Sequence, residues 1–211
     1  MICIPIKSSD KVKVLKNIQK AEKLGDIIEI WFDEISDLES HFLKKVFPQG
    51  KKPIIYKFTG NLENLEKILI FKPDFIDMDI SSDKKIIKKI RNVSPKTEII
   101  ISFHDFKKTP EIAQLKRIAI KMATKNADII KIATYARNGE DSLRMMSFLS
   151  FLKDRYKKVI CLCMGKRGEI TRKTGHLLGN YLMYAPTGID YNTAPGQISA
   201  AELKKIQALC H

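Results

Sequence analysis

The chain has 211 residues, 44% of them hydrophobic, and a formal net charge of +14. That length suits one domain or at most two, and that apolar content excludes a disordered chain. No apolar run approaches the roughly 18 residues that span a bilayer. Lys7 follows the short apolar start too closely for a secretory leader, so none is expected.

Apolar runs and helical patterns alternate from end to end. Ile2–Ile6 reads as a strand and Asp10–Leu24 as an amphipathic helix closed by Gly25. Ile27–Phe32 is a second strand, and Leu38–Phe47 a helix stopped by Pro48. Pro53–Phe58 and Leu62–Phe71 form the third pair, Phe75–Ile80 and Asp83–Asn92 the fourth. Glu98–Phe103 precedes a helix over Pro110–Asn126, and Asp128–Ala133 precedes one over Glu140–Tyr156. Lys158–Met164 is followed by a helix over Thr171–Leu178, and Tyr181–Ala185 is a short eighth strand. Ser199–Leu209 closes the chain as a helix, with Ser199 and Glu202 in capping-box spacing.

Eight strand–helix units predict an α/β fold: one (β/α)8 barrel over residues 1–211. Nearly continuous apolar strands such as Ile99-Ile100-Ile101 fit a parallel sheet covered by helices. A doubly wound sheet is the runner-up, but Pro5-Ile6-Lys7-Ser8 stands where its Gly-rich phosphate turn belongs.

Of the 38 basic residues, 31 are Lys and only 7 are Arg. The lysines are scattered in pairs, which reads as a solvated surface rather than a nucleic-acid interface. The field still attracts small anionic substrates. Cys3, Cys161, Cys163 and Cys210 form no disulfide framework or zinc motif, and a reducing cytoplasm is the simplest compartment.

A barrel of this type keeps its chemistry at the C-terminal ends of the strands. Lys131 lies inside Ile129-Ile130-Lys131-Ile132-Ala133, a costly place for an ammonium. Desolvation lowers a lysine pKa, so Lys131 reads as a Schiff-base nucleophile with a depressed pKa, or else as a strand-end lysine with a buried stem. His104 directly follows the fifth strand and is placed to shuttle protons. Arg172 can clamp a carboxylate, and Thr193 and Gln197 lie in a loop that could offer hydrogen bonds to a substrate.

Four segments, taken in order, resemble type I 3-dehydroquinate dehydratases. They are Ile101-Ser102-Phe103-His104-Asp105-Phe106, Ala127-Asp128-Ile129-Ile130-Lys131-Ile132-Ala133, Met164-Gly165-Lys166 with Thr171-Arg172, and Ala194-Pro195-Gly196-Gln197. The resemblance implies dehydration of 3-dehydroquinate to 3-dehydroshikimate in the shikimate pathway, with no metal or organic cofactor. It implies an imine on Lys131, with His104 removing the proton, protonating the departing hydroxyl and assisting imine hydrolysis. It assigns Arg172 and Gln197 to the substrate carboxylate, Glu29 to ring hydroxyls, and Lys57 and Thr193 to substrate binding. It also implies a homodimer, a small-molecule partner, and no nucleic acid or membrane.

Two regions depart from the family pattern. Trp31 stands where the family has arginine. Lys57-Phe58-Thr59-Gly60-Asn61 replaces an Arg-Thr-x-x-Glu-Gly-Gly-like stretch, so Asn61 takes the place of a glutamate that positions the histidine. Asp79 and Glu63 are the acids left to stand in for it. A Schiff-base aldolase, and a catalytically impaired homologue acting as a binding protein, are the alternatives.

Overall fold

The computed structural model describes residues 1–47, 52–187 and 196–209. Eight strands run through it: β1 (Ile2–Ile6), β2 (Ile27–Ile30), β3 (Ile54–Lys57), β4 (Phe75–Asp79), β5 (Glu98–Asp105), β6 (Ile129–Tyr135), β7 (Val159–Met164) and β8 (Met183–Tyr184). The helices between them are α1 (Lys11–Leu24), α2 (Ser40–Val46), α3 (Leu62–Leu69), α4 (Lys84–Val93), α5 (Ile112–Ala123), α6 (Gly139–Lys153) and α7 (Glu169–Thr174), with α8 (Ala200–Leu209) last. The sheet order is β7-β6-β5-β4-β3-β2-β1-β8, and every strand pair is parallel. The two ends of that order approach each other, because Tyr181 N donates to Val159 O of β7 at 2.8 Å. The result is a nearly closed (β/α)8 barrel.

Local chemistry sets the helix starts. Asp10, Asn61, Asp83 and Asn138 each accept a backbone N–H of the first turn that follows them, satisfying donors with no intrahelical partner. Ser199 Oγ accepts from Glu202 N at 3.2 Å, as the capping-box spacing predicts. On α4, Ile87 and Ile90 face the barrel while the lysines face water. The end of α1 differs from expectation in its cause. Gly25 has an ordinary φ of −113°, not a left-handed one. Glycine is needed there because a Cβ would meet Ile4 Cγ1 at 2.5 Å.

One recurring device at the strand starts was not anticipated. Asp26 and Asp74, just before β2 and β4, accept the first backbone N–H of β1 and β3. Asp128, just before β6, accepts Ile99 N of β5, and Asn180 accepts Cys161 N of β7. Each side chain ties one strand to its neighbour at the end of the barrel away from the site.

Residues two apart on a strand share a face. One face packs under the helices in a large apolar core that includes Cys161 and Cys163. The other fills the barrel. Its floor is apolar, with Ile27, Ile55, Phe75, Ile100, Ile129 and Ile160. Two residues further along the strands, the interior turns polar: Glu29, Lys57, Asp77, Ser102 and Lys131, all buried. The eighth strand is shorter than expected, two residues rather than five, and the α7 helix ends at Thr174 rather than continuing to Leu178. A 3-10 turn over Phe32–Glu34 ends β2 before the apolar run is exhausted.

Candidate active site

The polar layer is built around one carboxylate. Asp77, fully buried on β4, accepts from Lys131 Nζ through Oδ2 at 2.6 Å and from Lys57 Nζ through Oδ1 at 2.8 Å. Lys57 also donates to Ser102 Oγ at 3.1 Å. Lys131 donates to Glu29 Oε2 at 3.3 Å and lies 4.0 Å over the Tyr184 ring. Two acids and two lysines thus compensate one another in a region where an isolated charge is costly.

This arrangement reverses the expected protonation of Lys131. Burial does push its pKa down, but Asp77 and Glu29 push it up by more, and the balance lies above the ordinary lysine value. Burial likewise works against the Asp77 carboxylate, yet Lys131, Lys57 and His104 hold it well below the usual carboxylate range. Lys131 is therefore held as an ammonium, not the neutral amine that desolvation alone predicts.

His104 sits one layer higher on β5. Burial, with Lys57 and Lys131 nearby, lowers its pKa to about 3, so the imidazole is neutral at neutral pH. Its ring lies parallel to that of the exposed Phe106, centroids 6.0 Å apart. Arg172 is buried within α7 rather than exposed at a helix start, because the helix follows the 3-10 turn over Lys166–Gly168 directly and starts two residues earlier than predicted. Its Nε donates to Cys163 O at 3.1 Å, and burial lowers its pKa to about 10. Among the described residues no acid pairs with it. Gly168 keeps this wall tight: a Cβ there would lie 2.6 Å from the Cys163 carbonyl carbon.

A cavity of about 430 Å³ opens above the polar layer. Glu29, Lys57, His104, Lys131, Arg172 and Gln197 all line it, so six of the seven residues singled out in the sequence come together. Thr193 lies outside the described residues. Trp31, Asp79, Phe106 and Tyr184 also line the cavity, and sequence reasoning gave them no role or an uncertain one. Asp77, a polar residue of the fourth strand, was given no role. An aspartate alternating with apolar residues in Phe75-Ile76-Asp77-Met78 must be buried, and a buried carboxylate demands cations; that was the available signal.

The geometry separates the two candidate replacement acids. Glu63 is on α3, paired with Lys67 at 2.7 Å and facing a different cavity. Asp79 lines the same cavity as His104 and acts on its charge. Asn61 caps α3 and does not line the cavity among the described residues. No helix among the described residues is long and apolar enough to cross a membrane.

A family model described as type I 3-dehydroquinase matches residues 2–211. A protein of Methanococcus maripaludis named 3-dehydroquinate dehydratase is 34% identical, with 99% of each chain covered. The crystal structure of 3-dehydroquinate dehydratase from Geobacillus kaustophilus superimposes with a TM-score of 0.86 at 21% identity, covering 99% of this chain and 90% of that one. A type I 3-dehydroquinate dehydratase structure from Clostridium difficile, carrying covalently modified comenic acid, has a TM-score of 0.83 at 25% identity, covering 100% and 91%.

Proposed function

The chain belongs to the type I 3-dehydroquinase family, and from that membership we propose a hydro-lyase that dehydrates 3-dehydroquinate to 3-dehydroshikimate through an imine on Lys131. The observation that carries the residue assignment is the placing of a buried lysine at the base of a cavity shared by His104 and Arg172. The cavity volume is in the range that encloses a small molecule.

Arg172 donates to the substrate carboxylate in a bidentate contact, with Gln197 beside it, and Glu29 accepts from ring hydroxyls. Lys131 must first pass a proton to neutral His104, because only the free amine attacks a carbonyl, and His104 returns that proton to the carbinolamine hydroxyl that leaves as water. The amine adds to the ring ketone and water leaves, giving a protonated imine. His104 then removes a proton from the adjacent carbon, and the electron pair moves into the imine to give an enamine. The enamine returns that pair as the β-hydroxyl departs, protonated by His104 and lost as water. Water finally hydrolyses the imine, releasing product and restoring Lys131. One water is lost overall. Asp77, itself held by Lys57, keeps Lys131 in place, and the Thr193 hydroxyl is assigned to the substrate by resemblance alone.

The proposal extends to a homodimer in a reducing cytoplasm, where Cys3, Cys161 and Cys163 stay as buried thiols. Borohydride reduction in the presence of 3-dehydroquinate tests the chemistry. A ligand mass on the peptide containing Lys131 is expected. No adduct on folded protein at saturating substrate, or an adduct confined to another lysine, overturns the assignment.

A further inference from the structure

Glu29 has two oxygens with different partners. Oε2 accepts from Lys131, and Oε1 accepts from the indole Nε1–H of Trp31 at 3.2 Å. The two contacts are unequal in what they control. Lys131 is anchored more closely by Asp77, at 2.6 Å against 3.3 Å to Glu29, so its position does not depend on Glu29. Glu29 is thus held through both oxygens, Oε2 by an independently anchored Lys131 and Oε1 by Trp31.

The indole is itself fixed from several sides. Trp31 N donates to Ile6 O of β1 at 3.1 Å. The next residue, Phe32, is fully buried and starts the 3-10 turn. Glu34 at the end of that turn pairs with Lys7 at 3.2 Å, and the Lys7 ammonium lies 4.5 Å over the indole ring. A cation over a tryptophan face is attractive and pins the ring. The indole can then direct its N–H at a buried carboxylate rather than at water. A carboxylate offers about four acceptor sites, and the pair to Trp31 and Lys131 leaves the others for groups in the cavity that both Glu29 and Trp31 line.

We propose that Trp31 is a positioning residue of this site: its indole N–H sets the Glu29 carboxylate to receive the hydroxyl groups of the substrate. The proposal rests on the dehydratase reading above. It places the effect of Trp31 on substrate binding, not on the nucleophile, because Lys131 keeps its closer Asp77 anchor.

The test is a double-mutant cycle on the full chain with 3-dehydroquinate. Trp31→Phe keeps an aromatic wall and removes the donor. We expect KM to rise about tenfold, the size of one hydrogen bond to a charged group. The kcat should stay within about threefold, since truncation of ground-state binding leaves the chemical step alone. In a Glu29→Ala background, the same Trp31→Phe change should add less than about twofold. Trp31→His, which retains a ring N–H, should recover part of the loss. An unchanged KM in Trp31→Phe overturns the proposal, as does a full effect that persists without Glu29. Trp31 is the only tryptophan in the chain, so substrate or product binding to the native protein should also change its emission; emission unmoved at saturation counts against the proposal even if Trp31→Phe folds poorly. Borohydride trapping on the native protein separates the two levels. No Lys131 adduct overturns the dehydratase reading and this inference with it, whereas a normal adduct with a silent cycle overturns this inference alone.

Discussion

Replacing Asp77 with Asn removes one negative charge from between two ammonium groups and changes little else. The amide has one acceptor oxygen, so only one of Lys57 and Lys131 keeps its bond to residue 77, and the amide NH2 faces the other cation, which is left with Ser102 or Glu29. Truncating one member of a buried ion pair costs about 3–5 kcal/mol. An independent limit agrees. A stranded lysine can shed its proton, which at pH 7 costs about 4.6 kcal/mol from an ordinary value near 10.4. At pH 10 the same escape costs less than about 1 kcal/mol. In the native protein the Lys131 pKa is raised, so its contribution to stability is complete below the unfolded value and is lost only as pH rises through the folded one. In Asp77→Asn, burial is opposed only by Glu29 and the folded value drops below the unfolded one, so the variant gains stability as pH rises toward about 10.4. Urea melts of both proteins at pH 7 and pH 10 should show a penalty of about 3–5 kcal/mol that narrows by about 2–4 kcal/mol at the higher pH. A penalty below about 1 kcal/mol at pH 7, or one equal at both pH values, refutes the account of Lys131 as an ammonium held by Asp77.

Other expectations concern the reaction. His104→Ala should slow turnover about 100- to 10,000-fold while the borohydride adduct on Lys131 still forms; loss of the adduct would make His104 necessary for imine formation as well. With its pKa near 3, neutral His104 is retained as pH falls below the usual imidazole range. The kcat/KM of the native enzyme should therefore show no fall centred near 6.5, and such a fall would contradict the depressed value. Arg172→Lys should raise KM about 10- to 100-fold with a small change in kcat, because a lysine loses the bidentate fork; an unchanged KM would place the substrate carboxylate elsewhere.

The barrel was legible because its signals are local. Apolar strand runs, helix caps and turn residues all lie within a few positions of the elements they define, and each agrees with the next. Lys131 and His104 were legible for the same reason: each breaks or ends an apolar strand. The protonation of Lys131 was not. Its counter-ions come from β4 and β2, 54 and 102 residues away in sequence, and nothing local to β6 announces them. Trp31 and Glu29 are only two residues apart, yet their hydrogen bond was equally hidden. The 3-10 turn that begins at Phe32 breaks the strand alternation that a reader extends through Ile27–Phe32. Asn61 shows the opposite case: its role is local, since an asparagine before Leu62-Glu63-Asn64 is a helix cap by type and spacing.

In the proposed mechanism, the distribution of charge lets a chain with a net charge of +14 hold one small anion in one orientation. The general field draws anions to the surface but does not orient them. In the polar layer, Lys57 and Lys131 are balanced by Asp77 and Glu29, so a carboxylate arriving there gains little net attraction and displaces existing contacts. Arg172 differs from both lysines. With a pKa near 10 it stays cationic at neutral pH, and no described acid neutralises it. A carboxylate is therefore directed to the α7 side of the cavity, which leaves the rest of the ring to extend toward β6. In the proposed mechanism a ketone placed there meets Lys131, and hydroxyls on the intervening ring carbons meet Glu29, which accepts from Trp31. On the proposed reading, pairing Lys57 and Lys131 while leaving Arg172 without an acid, among the described residues, turns a general electrostatic attraction into a defined binding pose.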